Sequence, residues 1–267
     1  MFIIYLIIFI WGTFIGSFLN CVIYRLENKL SFLKGRSFCP HCKHKLGFFD
    51  LVPIFSFIFL KGRCRYCKKE ISIQYPLVEI ATGLLFLLVL NFQFGNLQFL
   101  ILNPLVSINF LYLLIVSSLL VIIFIYDLKH YIIPDKVIYL LIGITFFYQL
   151  IYNFQAVNSS FWSFFFSALG AAGFFFLIWV FSKGKCMGFG DVNLAFLMGL
   201  FLGWPNILVA LFSAFLIGAI IGIGLIILGK KKLKSQVPFG PFLITGTFIA
   251  LFWGQNLINW YLNFLLL

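Results

Sequence analysis

The chain of 267 residues carries seven acidic side chains, four aspartates and three glutamates, so each can be weighed on its own. Two stand out by position. Asp191 closes the stretch Met187-Gly188-Phe189-Gly190-Asp191 where an apolar run begins, and Asp127 closes the apolar run Ile123-Phe124-Ile125-Tyr126, 64 positions earlier. A carboxylate at the edge of a bilayer helix is expensive to keep and calls for a reason. Two such acids brought together can cleave an amide. One carboxylate takes a proton from water, while the other, kept protonated by its neighbour's charge, polarises the carbonyl. The ionisations of such a pair are shared. Gly188 and Gly190 favour the reading, because they free the backbone for close approach and for conformations closed to other residues.

A second constellation has the chemistry of a metal site. Cys39-Pro-His-Cys42 and Cys64-Arg-Tyr-Cys67 are two C-x2-C knuckles 21 residues apart, close to the spacing of four-thiolate zinc sites. Four thiolates leave no open position for water, so zinc there would hold the fold and take no part in catalysis. His41 and His44 read as surface residues, and Cys21 and Cys186 as packing residues outside the knuckles.

The other acids have plainer readings. Asp135 follows Pro134 at the start of an apolar run, where an acid suits the free N–H groups of a helix start, yet it is the main competitor for the pair. Asp127 itself could be a helix-end acid answered by Lys129. Glu79 lies just inside an apolar run, against a basic partner or a polar pocket, and Glu27, Asp50 and Glu70 read as solvated or salt-bridged. On residues alone, a hydrolase competes evenly with a transporter or scaffold whose acids relay protons.

The elements that position these groups are membrane helices. Hydrophobic residues make up 63% of the chain, charged residues 10%, and the mean hydropathy is +1.10, far from the makeup of soluble domains. The first apolar run, 2–23, has no basic region or small-residue cleavage site before it and reads as an uncleaved span. Gly12 and Gly16 within it either admit a close neighbouring helix or are incidental. Further runs at 77–92, 105–126, 137–152, 161–182, 192–203, 207–228 and 241–262 complete eight predicted spans, of which 192–203 is short.

The net charge of +12 is a matter of topology. All 19 Lys and Arg fall in the first, third, fifth and seventh connections: eleven in 25–75, then Lys129 and Lys136, Lys183 and Lys185, and Lys230, Lys231, Lys232 and Lys234. The positive-inside rule puts those connections in the cytoplasm and both termini outside. Asp127 and Asp191 then share the cytoplasmic side. The basic balance speaks for anionic lipid headgroups and against a nucleic-acid partner. In the reducing cytoplasm the cysteines would not be disulfide-bonded. Between the knuckles, Leu51-Val-Pro-Ile-Phe-Ser-Phe-Ile-Phe-Leu60 is too short to span and is broken by Pro53, so it is expected on the membrane surface or against the helices. The fold class is an all-α polytopic membrane protein of about eight transmembrane helices with a small zinc-ribbon-like cytoplasmic domain between helices 1 and 2. Its expected divisions are a first helix (1–24), the zinc domain (25–76) and a seven-helix domain with the acids (77–267).

Gly16-Ser-Phe-Leu-Asn-Cys-Val-Ile-Tyr-Arg25, the paired knuckles, Tyr75-Pro-Leu-Val-Glu79, the segment from Asp127 to Pro134-Asp135, Gly188-Phe-Gly-Asp191 and Pro238-Phe-Gly-Pro241 run in order through nearly the whole chain. Together they resemble the bacterial type IV prepilin peptidases. The resemblance implies an inner-membrane enzyme that cleaves the short basic leader of type IV prepilin or pseudopilin precursors at the cytoplasmic face. It further implies methylation of the new N-terminus with S-adenosylmethionine. It assigns catalysis to Asp127 and Asp191, leaves Asp135 as a structural neighbour, and links the cysteine domain to methyl transfer. Asn20, Arg25 and Glu79 become candidates for that region or for substrate positioning, although no residue spells a methyl-donor pocket. A peptidase without methylation is the alternative within the class. One departure stands out: the family pattern continues G-x-G-D-x-K, and Asn193 occupies the lysine position, where an amide can still donate a hydrogen bond.

Overall fold

A computed structural model describes residues 2–31, 35–93, 104–155, 160–184, 187–229 and 237–265, with 104, 152–155 and 160 described by backbone alone. Cys186, Lys185 and the basic residues at 230–234 lie outside the described residues. The chain divides into two compact units, 1–122 and 123–267.

The first unit is built on a close helical pair. Helix α1 (Phe2–Glu27) is followed by the cysteine segment, which holds a one-turn 3-10 helix (Phe48–Asp50) and the short α2 (Phe55–Phe59), and then by α3 (Gln74–Gln93). Helices α1 and α3 touch where side chains are smallest. A Cβ at Gly12 would lie 2.8 Å from Gly83 Cα, and one at Gly16 would lie 2.7 Å from Glu79 Cα. Gly12 and Gly16 are therefore the contact surface, as small residues are in membrane helix pairs. Helix α4 (Pro104–His130) runs across the division between the units.

The second unit contains the end of α4, then α5 (Asp135–Gln155), α6 (Ser160–Ser182), α7 (Phe189–Leu202), α8 (Asn206–Ile227) and α9 (Gly240–Leu265). Its centre is α7, which touches α5, α6, α8 and α9. From Val192 onward nearly all of α7 is buried, including Leu194, Ala195, Leu197, Met198 and Leu200. A helix apolar all round belongs inside a core or a membrane, and here protein surrounds it. Gly199 permits a close approach to α6: a Cβ there would sit 2.5 Å from Ala168 Cα. On the other side, α8 and α9 pair through Gly246, whose added Cβ would collide with the Ala210 carbonyl oxygen.

Each of the eight apolar runs becomes a helix, but they are not equal. Among the described residues, six helices are long and apolar enough to cross a bilayer: α1, α3, α4, α6, α8 and α9. Helix α5 covers the 137–152 run. Helix α7, expected as a span, has 14 residues and a length of about 21 Å, short of the roughly 30 Å of hydrocarbon. It is the short member of the eight expected helices, and neighbouring helices enclose it. Helix α4 also continues one turn past Asp127 to His130, so the acid lies inside the last turn rather than closing the helix.

Candidate active site and metal centre

Asp127 reaches its position through α4 and is buried, 4% exposed. Its Oδ2 accepts the backbone N–H of Gly240 at the start of α9, at 3.0 Å. A helix start presents unpaired N–H groups and favours a negative charge, so Gly240 is a natural partner for a carboxylate. The fit leaves no room for a side chain, since a Cβ at Gly240 would come 2.5 Å from Asp127 Oδ2.

Asp191 enters from the first turn of α7. Its Oδ2 accepts the Gly188 N–H at 3.2 Å, while its own N–H donates to the Gly188 carbonyl at 3.2 Å. This reciprocal cap fixes the helix start and aims the half-buried carboxylate. Asp127 and Asp191 lie close enough for their charges to act on one another. The glycines of the motif work differently from each other. Gly188 has φ −76° and ψ 154°, open to any residue, and contributes its N–H. Gly190 supplies closeness: a Cβ there would meet Ile133 Cβ at 2.9 Å. Asp135 opens α5 with its side chain exposed, and the Pro134 carbonyl accepts the N–H groups of Val137 and Ile138. It fits the structural role of a helix-start acid.

Gly240 was legible only as part of Pro238-Phe-Gly-Pro241. Nothing in composition or spacing announces that its N–H meets an acid 113 positions away. The signal available was a glycine between prolines at the head of an apolar run.

The cysteine segment builds its centre by repeating one turn. In the first knuckle Cys39 N–H donates to the His44 carbonyl and Lys43 N–H to the Cys39 carbonyl, at 3.0 and 2.9 Å. In the second, Cys64 N–H donates to Lys69 and Lys68 N–H to Cys64, at 2.8 and 3.0 Å. Lys43 and Lys68 both turn the chain at φ 59°, and the bridges Phe38 to Lys45 and Arg63 to Glu70 close the two knuckles alike. The Sγ atoms of Cys39, Cys42, Cys64 and Cys67 all lie within 4.8 Å of one another, with Cys39 and Cys67 at 3.9 Å. A tetrahedral zinc with 2.3 Å bonds spaces its sulfurs about 3.8 Å apart, so the set fits that ion. Burial pushes the Cys39 thiol up, but hydrogen bonds from the backbone of Cys42 and His41 and from the Cys42 and Cys64 thiols together outweigh it and bring the value down to about 7.

Two family profiles match in tandem: the bacterial peptidase A24 N-terminal domain over residues 10–92 and the type IV leader peptidase family over residues 114–223. A prepilin leader peptidase/N-methyltransferase of Legionella pneumophila is 32% identical, with 97% of this chain and 95% of that protein aligned. The chain belongs to the type IV leader peptidase family. Proteins of the same name from Aeromonas hydrophila and Bacillus subtilis (strain 168) are each 31% identical, covering 97% and 96% of the chain and 94% and 97% of their own lengths. No solved structure matches.

Within this family member, the unexpected Asn193 donates its amide to the Tyr139 hydroxyl on α5 at 3.4 Å. The polar residues of the first unit turn toward its own backbone. Asn20 donates to the Tyr75 carbonyl at 3.1 Å and accepts from Gln74 at 3.5 Å. Arg25 donates to the carbonyls of Ser31 and Gly35, at 3.2 and 2.7 Å, on the strand of chain leading to Cys39. Glu79 accepts the Ile54 N–H at 2.7 Å. Asp50 pairs with Arg65 at 2.8 Å and accepts from Gly47, tying the second knuckle to the 3-10 turn.

Proposed function

We propose that this protein removes the leader peptide of type IV prepilin-like precursors at the cytoplasmic membrane face and methylates the new N-terminus. The observation that carries the reading is the pair Asp127 and Asp191, each accepting a glycine N–H and both held in the second unit. In the resting pair one proton is shared. The ionised carboxylate takes a proton from water as its oxygen attacks the scissile carbonyl carbon, and the protonated partner gives its proton to the carbonyl oxygen. The resulting diol collapses when the first acid protonates the amide nitrogen and the second takes back a hydroxyl proton, breaking the C–N bond and restoring the pair. The two fixed N–H donors keep one oxygen of each carboxylate aimed, which is positioning paid for in folding rather than during reaction.

Cys39, Cys42, Cys64 and Cys67 would hold a structural zinc, whose chemistry is to fasten the two knuckles. S-adenosylmethionine would supply the methyl group to the new amine. Asn20, Arg25 and Glu79 bond backbone groups of their own unit and remain the candidates for the methyl-transfer region or for substrate positioning. Their hydrogen bonds hold that region in shape, and no methyl-transfer step is routed through them. The substrates are prepilin or pseudopilin precursors. The charge pattern supports a multi-pass protein of the cytoplasmic membrane with zinc domain and acids inside and termini outside.

The test is leader removal from a precursor pilin by the enzyme in lipid, followed as a gel shift. Asp127→Asn and Asp191→Asn should each lower the rate on the order of 10³-fold, the scale of a lost general acid or base, with insertion intact. Asp135→Asn should leave most activity. Normal processing by either of the first two variants would sink the assignment.

A further inference from the structure

The zinc domain exposes large apolar side chains where a soluble domain would hide them. Phe48, Phe49, Phe55, Ile58 and Phe59 are between 62 and 81% exposed, on the 3-10 turn and α2. Contiguous apolar surface rimmed by polar residues marks a contact site. Its depth says what the contact is. Ile54, which launches α2, donates its N–H to Glu79 Oε2 at 2.7 Å. Glu79 is the sixth residue of α3, a 20-residue helix whose length of about 30 Å matches the hydrocarbon core. Helix α2 therefore begins level with the second turn of α3, about 7 Å along that helix from its first residue.

The attachment is built under strain. Ile54 sits at φ 62° and ψ −54°, a region a β-branched residue rarely enters, in a tight turn where Phe55 N–H bonds the Pro53 carbonyl. Such conformations persist where surroundings enforce them, and the buried Glu79 is what grips this one. The same domain carries Lys45, Lys61, Arg63, Lys68 and Lys69, all exposed and within a few residues in sequence of the 3-10 turn, α2 or the second knuckle. Basic residues near the surface attract anionic headgroups.

We propose that Phe48–Phe59 is a membrane wedge, seated in the headgroup and acyl boundary of an anionic leaflet and clasped to the transmembrane pair by Glu79. Phe and Ile side chains enter the lipid while the lysines meet the headgroups. The wedge fixes the height of the zinc domain against the bilayer, and it stands independently of the roles given to Asp127 and Asp191.

The experiment uses the full-length enzyme in nanodiscs of phosphatidylglycerol and phosphatidylethanolamine, with a photoreactive benzophenone amino acid replacing Phe59 or, as an exposed control in the same domain, Glu70. Mass spectrometry reads the adducts after illumination. Lipid adducts should form at position 59 at least about tenfold more than at 70, and should fall severalfold in phosphatidylcholine alone. Equal yields at the two positions, or preferential attachment to a pilin precursor added to the discs, would overturn the wedge, the latter showing a protein-docking surface instead. Introduced together with the probe at 59, Glu79→Ala should cut the lipid yield severalfold, whereas Glu79→Gln, which keeps an acceptor for the Ile54 N–H, should preserve it. Bound zinc in both variants reports that the domain is still folded, and an unchanged yield in Glu79→Ala would remove the clasp.

Discussion

Gly240 and Asp127 meet with so little room that the glycine is as exacting as the acid. With Ala at 240, the new Cβ would come 2.5 Å from Asp127 Oδ2 and 3.2 Å from Cγ, so either α9 withdraws or the carboxylate rotates off its N–H donor. Misplacing a reacting group by about 1 Å can cost on the order of 10²-fold. Gly240→Ala should therefore lower leader cleavage about 10- to 100-fold without unfolding the protein. Gly143→Ala on α5, where nothing lies within 4 Å of the added Cβ, should change nothing. Equal rates for the two variants, measured on the same precursor, would show that the N–H contact has no part in aiming Asp127. At this scale the sequence disclosed the acids but not their supports. Asp127 and Asp191 are conspicuous because acids are scarce and both fall at apolar edges. A backbone N–H has no letter of its own, so the donors from Gly188 and Gly240 emerge only once α7 and α9 are placed.

Helix α7 shows what apolar pattern conveys about an element and what it leaves out. Its run of Leu194 to Leu202 is apolar on every side, which describes a helix in lipid and a helix in a protein core equally well. The neighbours do what the pattern cannot: α5, α6, α8 and α9 all touch these 14 residues. The small residue at Gly199 is then a packing requirement, because α6 crosses it at Ser167 and Ala168. Gly199→Val would press two methyl groups into backbone 2.5 Å away, and overpacking of that kind costs about 1–3 kcal/mol. Thermal unfolding in detergent should shift down by several degrees, and leader cleavage should fall with it, since α7 carries Asp191. An unshifted transition would mean that α6 and α7 are not held as described. The knuckles, by contrast, were readable at the level of the element. C-x2-C twice at a fixed interval specifies two like turns, and the lysines at φ 59° after each second cysteine show how alike they are.

At the scale of the whole molecule, the apolar runs give the helix order, and two helices, α5 and α6, separate α4 from α7, an even number consistent with both acids being expected toward one side. The division into units at Ile122 and Ile123 could not be read that way, since it falls within α4, an unbroken apolar helix. It carries a functional expectation. Asp127, Asp191 and Gly240 all belong to the second unit and the four zinc cysteines to the first, so each has its own core to hold it. Purified under reducing conditions, the enzyme should carry one zinc, and Cys64→Ser should lose it, because three thiolates leave the knuckles unfastened. If the cysteine domain serves methyl transfer and the second unit serves cleavage, the variant should retain roughly half or more of leader removal while the mature pilin N-terminus goes unmethylated. Mass spectrometry of that N-terminus, alongside the gel shift, separates the two activities. Loss of cleavage in step with zinc would show that the acids depend on the metal-held domain after all.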